Sequence, residues 1–125
     1  MSPEERGTPS FRFRKDERIR TRKEIGSVFD RGKRWTVKGM RLHVMVNSGA
    51  VTRAVFVTVR KYGNAVARNR ARRVVSECWR LAKNQVRPGL DIAFVIYPGP
   101  DSVSVREPQL SELLHRSGIL VRGRP

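Results

Sequence analysis

The residues best equipped for chemistry in this chain are arginines. From Lys61 the sequence runs Lys61-Tyr62-Gly63-Asn64-Ala65-Val66-Ala67-Arg68-Asn69-Arg70-Ala71-Arg72-Arg73, and no acid follows until Glu77. A guanidinium holds phosphate through two parallel hydrogen bonds and also stacks on bases. The chemistry is therefore anion recognition. Ordinary exposed helices alternate both signs to gain i,i+4 pairs, and this stretch does not. Self-contained hydrolysis would need grouped carboxylates for metal ions or an acid–base pair. Asp30, Glu77, Asp91 and Glu112 are scattered instead. His43, His115 and Cys78 do not form a zinc motif. His43 sits mid-strand, as a partly buried sheet residue or a contact. Cys78 and Trp79 are expected to pack in the core.

A second basic block runs from Arg12 to Lys23, with Arg31, Lys33 and Arg34 after it, diluted by Asp16, Glu17 and Glu24. It reads equally as an RNA contact and as a mobile arm. Trp35 follows it without a clear assignment. In total, Lys plus Arg number 27 against 11 Asp plus Glu, a formal net charge of +16 over 125 residues. Such a body repels itself unless a polyanion neutralises it. No apolar run approaches the roughly 20 residues a bilayer span needs, and no apolar segment follows the first charges as in a secretory signal. With one cysteine and no internal disulfide, the reading is cytoplasmic. Nucleic acid is the expected partner, and a membrane is not.

The elements that must hold these residues follow from spacing. Residues 1–15 read as a flexible basic tail, 16–121 as one domain, and 122–125 as a loose end. Thr21-x-x-Glu24 is a capping box. Ile25, Val28 and Phe29 then give one apolar face of a helix to Arg31, with Gly32 as its C′ residue. Strands are expected near Trp35–Val37, at Leu42–Asn47 and at Ala54–Arg60. Asn64 caps a long helix reaching about Gln85. Its apolar stripe is Ala67, Ala71, Val74, Val75, Cys78, Leu81 and Ala82. Arg68, Asn69, Arg72, Arg73, Arg80 and Lys83 fall opposite, with Arg70 nearer the stripe's edge. The apolar run Asp91–Tyr97 predicts an inner strand. Pro108 fits the first turn of a last helix that buries Leu110, Leu113 and Leu114 and ends near Gly118. Strand–helix–strand over residues 54–97 argues for a parallel pair. Helices on one face would then give a two-layer α/β sandwich.

Glu17-Arg18-Ile19-Arg20, Arg22-Lys23-Glu24-Ile25, Val28-Phe29, Gly32-Lys33, Val57-Thr58-Val59-Arg60-Lys61, Gly63-Asn64-Ala65-Val66 with Arg68-Asn69-Arg70 and Arg72-Arg73, and Asp91-Ile92-Ala93-Phe94-Val95 together resemble the protein subunit of bacterial ribonuclease P. The likeness covers about Glu17 to Leu120. It implies an α+β two-layer sandwich with a small mixed sheet and a left-handed β-α-β crossover, like the second domain of ribosomal protein S5. It implies as partners a catalytic RNA subunit and precursor tRNA, whose 5′ leader the complex removes. It further implies that the RNA carries the active site and most of the Mg2+. By position, Lys61, Asn64, Arg68, Asn69, Arg70, Arg72 and Arg73 would face the catalytic RNA. Ile25, Phe29 and His43 would line a leader cleft between the first helix and the sheet. This chain departs from the family at Ile25 (usually Phe), Ser76 (often Arg) and Val55 (often Gly).

Two other readings compete. A ribosomal or ribosome-assembly protein could share the fold, since fold does not determine function. A helix-turn-helix DNA reader needs a supporting helix just before the recognition helix, and here a strand and Tyr62-Gly63-Asn64 precede it. DNA is therefore not an expected partner. Replacing Arg68 and Arg72 with Ala is expected to leave the fold nearly intact and to flatten the salt dependence of RNA binding. Affinities measured between 50 and 200 mM salt check this, and an unchanged slope would refute the assignment.

Overall fold

The computed structural model describes residues 13–121. Most of the expected N-terminal tail (1–12) and all of the C-terminal one (122–125) lie outside them. The elements are α1 (Arg22–Arg31), β1 (Lys33–Val37), β2 (Met40–Val46), β3 (Arg53–Thr58), α2 (Ala65–Ala82), β4 (Leu90–Ile96) and α3 (Val103–Ser117), with short 3-10 turns at Lys15–Glu17 and Lys83–Gln85. The sheet order is β1-β2-β4-β3. β1–β2 and β2–β4 pair antiparallel, and β3–β4 pair parallel. This is the expected α+β class with a mixed sheet, and α2 is the crossover of the parallel pair. None of the described helices is long and apolar enough to cross a membrane.

Each face of β4 meets a different layer, which is why every β4 residue is buried. Leu42, Val44, Ile92, Phe94 and Ile96 pack under Ala71, Val75, Cys78 and Trp79 of α2 and Leu110, Leu113 and Leu114 of α3. The Trp79 and Phe94 rings lie 5.6 Å apart, and Phe56 stacks on Phe94 at 5.7 Å. On the opposite face, Val28 of α1 packs on Ala93 with Ile25, Phe29, Met45 and Val55 around it. Helices thus lie on both faces, with the short α1 alone on one. The expectation of helices on a single face missed this, because a four-residue apolar rhythm does not say which side of a sheet it meets.

α1 begins with Thr21 as its N-cap: the Thr21 hydroxyl accepts from the Glu24 amide at 3.1 Å and donates to the Glu24 carboxylate at 3.1 Å. That carboxylate also takes Arg53 at 3.0 Å, while the rest of the Arg53 fork binds Asp91 at 2.9 and 2.7 Å. The two acids hold the Arg53 guanidinium charged and tie α1 to β3 and β4. Gly32 ends α1 in extended rather than left-handed backbone. A Cβ there would meet the Val28 carbonyl oxygen at 2.5 Å and that of Val44 at 2.9 Å. The residue is needed for close approach of helix and strand, not as the left-handed cap its sequence position suggested.

α3 starts at Val103 with Ser102 as its cap, so Pro108 lies inside the helix rather than in its first turn. The cap signal was carried by a serine that sequence reading passed over. Gly118 closes α3 in the left-handed region, as expected.

Arg106 on α3 is fully buried. It donates to Asp101 at 3.0 Å, to the Gly39 and Tyr97 carbonyls at 3.0 and 2.7 Å, to Gln109 at 2.9 Å and to the Tyr62 hydroxyl at 2.9 Å. Tyr62 in turn donates to Asp101 at 2.6 Å. A buried guanidinium is tolerated only when its donors are matched in this way. Removing it with Arg106→Met leaves Asp101 uncompensated and is expected to cost about 3–5 kcal/mol in denaturant unfolding. Adding Asp101→Asn should give a double-mutant loss well below the sum of the singles.

Candidate nucleic-acid interface

The basic helix begins where the Arg106 network ends. Tyr62 is buried against that network, and burial, followed by the Asp101 bond, raises its pKa. Gly63 follows at φ +142°, a conformation that disfavours side chains. Asn64 then caps α2, its side chain accepting from the Ala67 amide at 2.9 Å. The free amides and positive end of the helix dipole face outward beside Lys61.

α2 is turned about its axis relative to the expected stripe. Ala71, Val75, Cys78 and Trp79 are buried as expected, but Trp79, outside the expected stripe, completes the face, and Leu81 is 51% exposed. At 100° per residue this rotates the buried face by roughly 40°. Asn69, Arg70 and Arg73 are exposed, with Arg68 and Arg72 half-buried beside them. Arg73 is thus central to the open face, and Arg70 is exposed on it rather than lying at the stripe's edge. Two expected members of that face leave it. Lys83 is buried in an ion pair with Glu17 at 3.0 Å, and Arg80 pairs with Glu77 at 2.6 Å. Val66 is 77% exposed on the same outward row, an apolar contact that charge-based reading passed over.

Arg68, Arg70, Arg72 and Arg73 have no acidic partner among the described residues. The Arg68 guanidinium reaches back to the Gly63 carbonyl at 3.4 Å, and Arg72 donates to the Asn69 side chain. Six of the nine described acids pair elsewhere, with Arg53, Arg80, Lys83, Arg106 and Arg116. Lys61, Asn64, Arg68, Asn69, Arg70, Arg72 and Arg73 therefore lie together on one turn and the start of one helix.

The second basic block joins them. Residues 13–19 run along the outer edge of β3, where Arg18 bridges Ala54 and the Ile19 amide donates to the Ala54 carbonyl at 3.1 Å. Phe13 packs edge-on against Phe56 at 5.8 Å, and the Arg18 guanidinium lies 4.2 Å over the Phe13 ring. Between this segment and α2 lies a groove of about 380 Å³, lined by Arg18, Arg20, Arg72 and Arg73 with Phe56 and Ser76. Ser76, where the family often has Arg, faces Arg20 across this space. Arg18 and Arg20 were legible only as part of an ambiguous basic run; their place beside α2 comes from strand pairing.

The other three expected residues meet on the opposite face. Ile25 and Phe29 of α1 are half-buried over the sheet, and Phe29 stands edge-on to His43 at 4.7 Å. Val55, where a Gly is frequent, packs in this cluster. His43 is only 4% exposed. Arg41 donates to its Nε2 at 2.9 Å, so the proton sits on Nδ1, which has no partner. Burial, then the charges of Arg41 and Arg34, push its pKa down to about 4. His43 is therefore a neutral part of the cleft floor. Cys78 is buried and its thiol is pushed up to about 11, which removes it as a nucleophile. Among the described residues no group of three or more His, Cys, Asp or Glu side chains is placed to hold a metal ion.

A family model described as ribonuclease P matches residues 13–118. The chain is 36% identical over 107 residues to the ribonuclease P protein component of Roseiflexus sp. (strain RS-1), covering 82% of this chain and 87% of that one. It is 39% identical over 102 residues to the same component of Finegoldia magna, covering 81% and 88%. Among solved structures, the RNase P protein from Thermotoga maritima superposes with a TM-score of 0.70 at 29% identity, covering 86% of this chain and 99% of that one.

Because the folded pKa of His43 lies below its ordinary value of 6.5, its stability contribution is complete above pH 6.5 and is lost as pH falls towards 4. Between pH 7 and pH 5 the unfolding free energy should drop by on the order of 1–2 kcal/mol. Chemical denaturation at both pH values checks this, and the drop should shrink in His43→Leu.

Proposed function

As the chain belongs to the ribonuclease P protein family, we propose that it binds the catalytic RNA subunit and the 5′ leader of precursor tRNA, assisting endonucleolytic removal of the leader. The observation that carries this reading is the group Arg68, Arg70, Arg72 and Arg73 on α2, which have no acidic partner among the described residues, with Arg18 and Arg20 beside the edge of β3. Guanidinium groups so placed neutralise phosphates that would otherwise repel one another when two RNAs approach. They also fix the orientation of the RNA without reading its sequence. Lys61, Asn64, Arg68, Asn69, Arg70, Arg72 and Arg73 are assigned to the catalytic RNA. Ile25, Phe29 and the floor around His43 are assigned to the leader, whose bases would meet apolar side chains with Arg41 and Arg34 beside them. With Ile in place of an aromatic ring, position 25 offers packing but no ring stacking.

Bond cleavage is assigned to the RNA. Mg2+ is assigned mainly to RNA phosphates, and no step is assigned to this protein's side chains; among the described residues no His, Cys, Asp or Glu cluster offers a ready metal site. The protein's work is to bind, orient and screen charge. We place it in the cytoplasm with its RNA partner, where one buried thiol needs no oxidising environment.

The purified protein alone should leave precursor tRNA intact and should restore leader removal by the cognate RNA at low magnesium. Arg70→Ala with Arg73→Ala, both exposed and outside the core, should abolish that rescue while leaving the thermal transition within a few degrees. Cleavage without RNA would overturn the proposal. So would co-purification with ribosomal RNA in place of ribonuclease P RNA.

A further inference from the structure

A second cationic cleft lies at the far corner of the molecule. β3 runs parallel to β4 and feeds the Tyr62–Asn64 turn from its Thr58 end, which lies beside Ile96. The other end of β4, at Leu90, pairs with Val46, and Lys33 of β1 lies opposite Val44. Seven residues of strand separate the two ends by about 20 Å, and β1 is the edge strand opposite β3. At this corner a cleft of about 360 Å³ opens between Arg31, Lys33, Trp35, Val46, Arg87 and Leu90, with the end of α3 beside it.

Its composition resembles neither a core defect nor a protein-docking patch. Arg31, Lys33 and Arg87 are exposed, and their side chains have no acidic partner among the described residues. No acid lines the cleft. Trp35 is half-buried at one end of the cleft, and Val46, four residues further along β2 than Trp35's partner Leu42, is 77% exposed. Protein-docking surfaces tend to lose charge at their centre, whereas charge beside an aromatic side chain is what single-stranded nucleic acid uses. The cleft adjoins α1 through Arg31 and Met45, but its β1 residues lie on the other sheet face from the cluster under α1. Register puts Lys33 and Trp35 opposite Val44 and Leu42, on the face of α2 and α3, whereas Arg34 lies opposite His43 on the face of α1.

We infer that this corner is a second RNA-binding site, taking a single-stranded segment whose phosphates meet Arg31, Lys33 and Arg87 and one of whose bases lies on Trp35. The site goes beyond the interface on α2. It would let one small protein hold two RNA segments on opposite corners, and the interface on α2 stands or falls independently of it.

Trp79 is buried in the core, so quenching of intrinsic fluorescence by RNA reports on Trp35. The probe is an oligouridylate of about twelve nucleotides, titrated into the full chain carrying Arg70→Ala and Arg73→Ala to silence α2. Quenching should persist in that background. Adding Lys33→Ala and Arg87→Ala should weaken binding about tenfold or more and flatten the salt slope by about 1.4, since each phosphate contact on a single strand contributes about 0.7. Trp35→Phe, read by anisotropy of a labelled oligonucleotide, should retain binding more fully than Trp35→Ala. Thermal melts confirm folding of each variant. Loss of quenching in the α2 double variant would overturn the inference. An unchanged slope after loss of Lys33 and Arg87 would do the same, as would equal quenching by polyglutamate, which would assign the corner to an acidic protein.

Discussion

The structure depends on where its few carboxylates go. In a chain of net charge +16, every acid that pairs with a cation decides which cations remain open. Asp101 is held by the buried Arg106, Asp91 and Glu24 by Arg53, and Glu17 by the buried Lys83. Apart from Asp101 and Arg106, five residues apart, these pairs join elements distant in sequence and sit where the fold needs cross-links. Arg68, Arg70, Arg72 and Arg73 of α2 are left without an acidic partner among the described residues. Folding and the proposed recognition thus share one charge distribution, and the proposed interface is what internal pairing leaves uncompensated.

The Arg106 network links that distribution to geometry. By gathering Tyr62, Asp101 and the carbonyls of Gly39 and Tyr97 around one guanidinium, it fixes the turn from which α2 departs. Gly63 and the Asn64 cap then set the helix direction. The open face of α2 is oriented by a polar cluster on another helix as well as by its own apolar stripe. At the edge of β3, residues 13–19 protect a strand that would otherwise be unpaired on one side and bring Arg18 and Arg20 to the groove. The same backbone hydrogen bonding that protects the sheet edge therefore enlarges the cationic surface.

Much was legible in the sequence because it depends on neighbours a few residues apart. The Thr21 cap, the Asn64 cap, the acid-free run from Arg68 to Arg73 and the buried β4 all follow from local spacing and composition, and all are present. The GNAV and RNR strings also marked the family without any knowledge of coordinates.

What required tertiary structure was whatever depends on partners far along the chain. Lys83 looked exposed on a helical wheel and is buried because Glu17, 66 positions earlier, meets it. Arg106 carried no signal, since its acceptors come from separate turns that only packing assembles. Trp79 displaced Leu81 from the core because a large flat ring fits against Phe94, and this turned the recognition face. Periodicity reports which residues share a side of a helix. What that side meets is decided by the volume and charge of side chains brought from elsewhere.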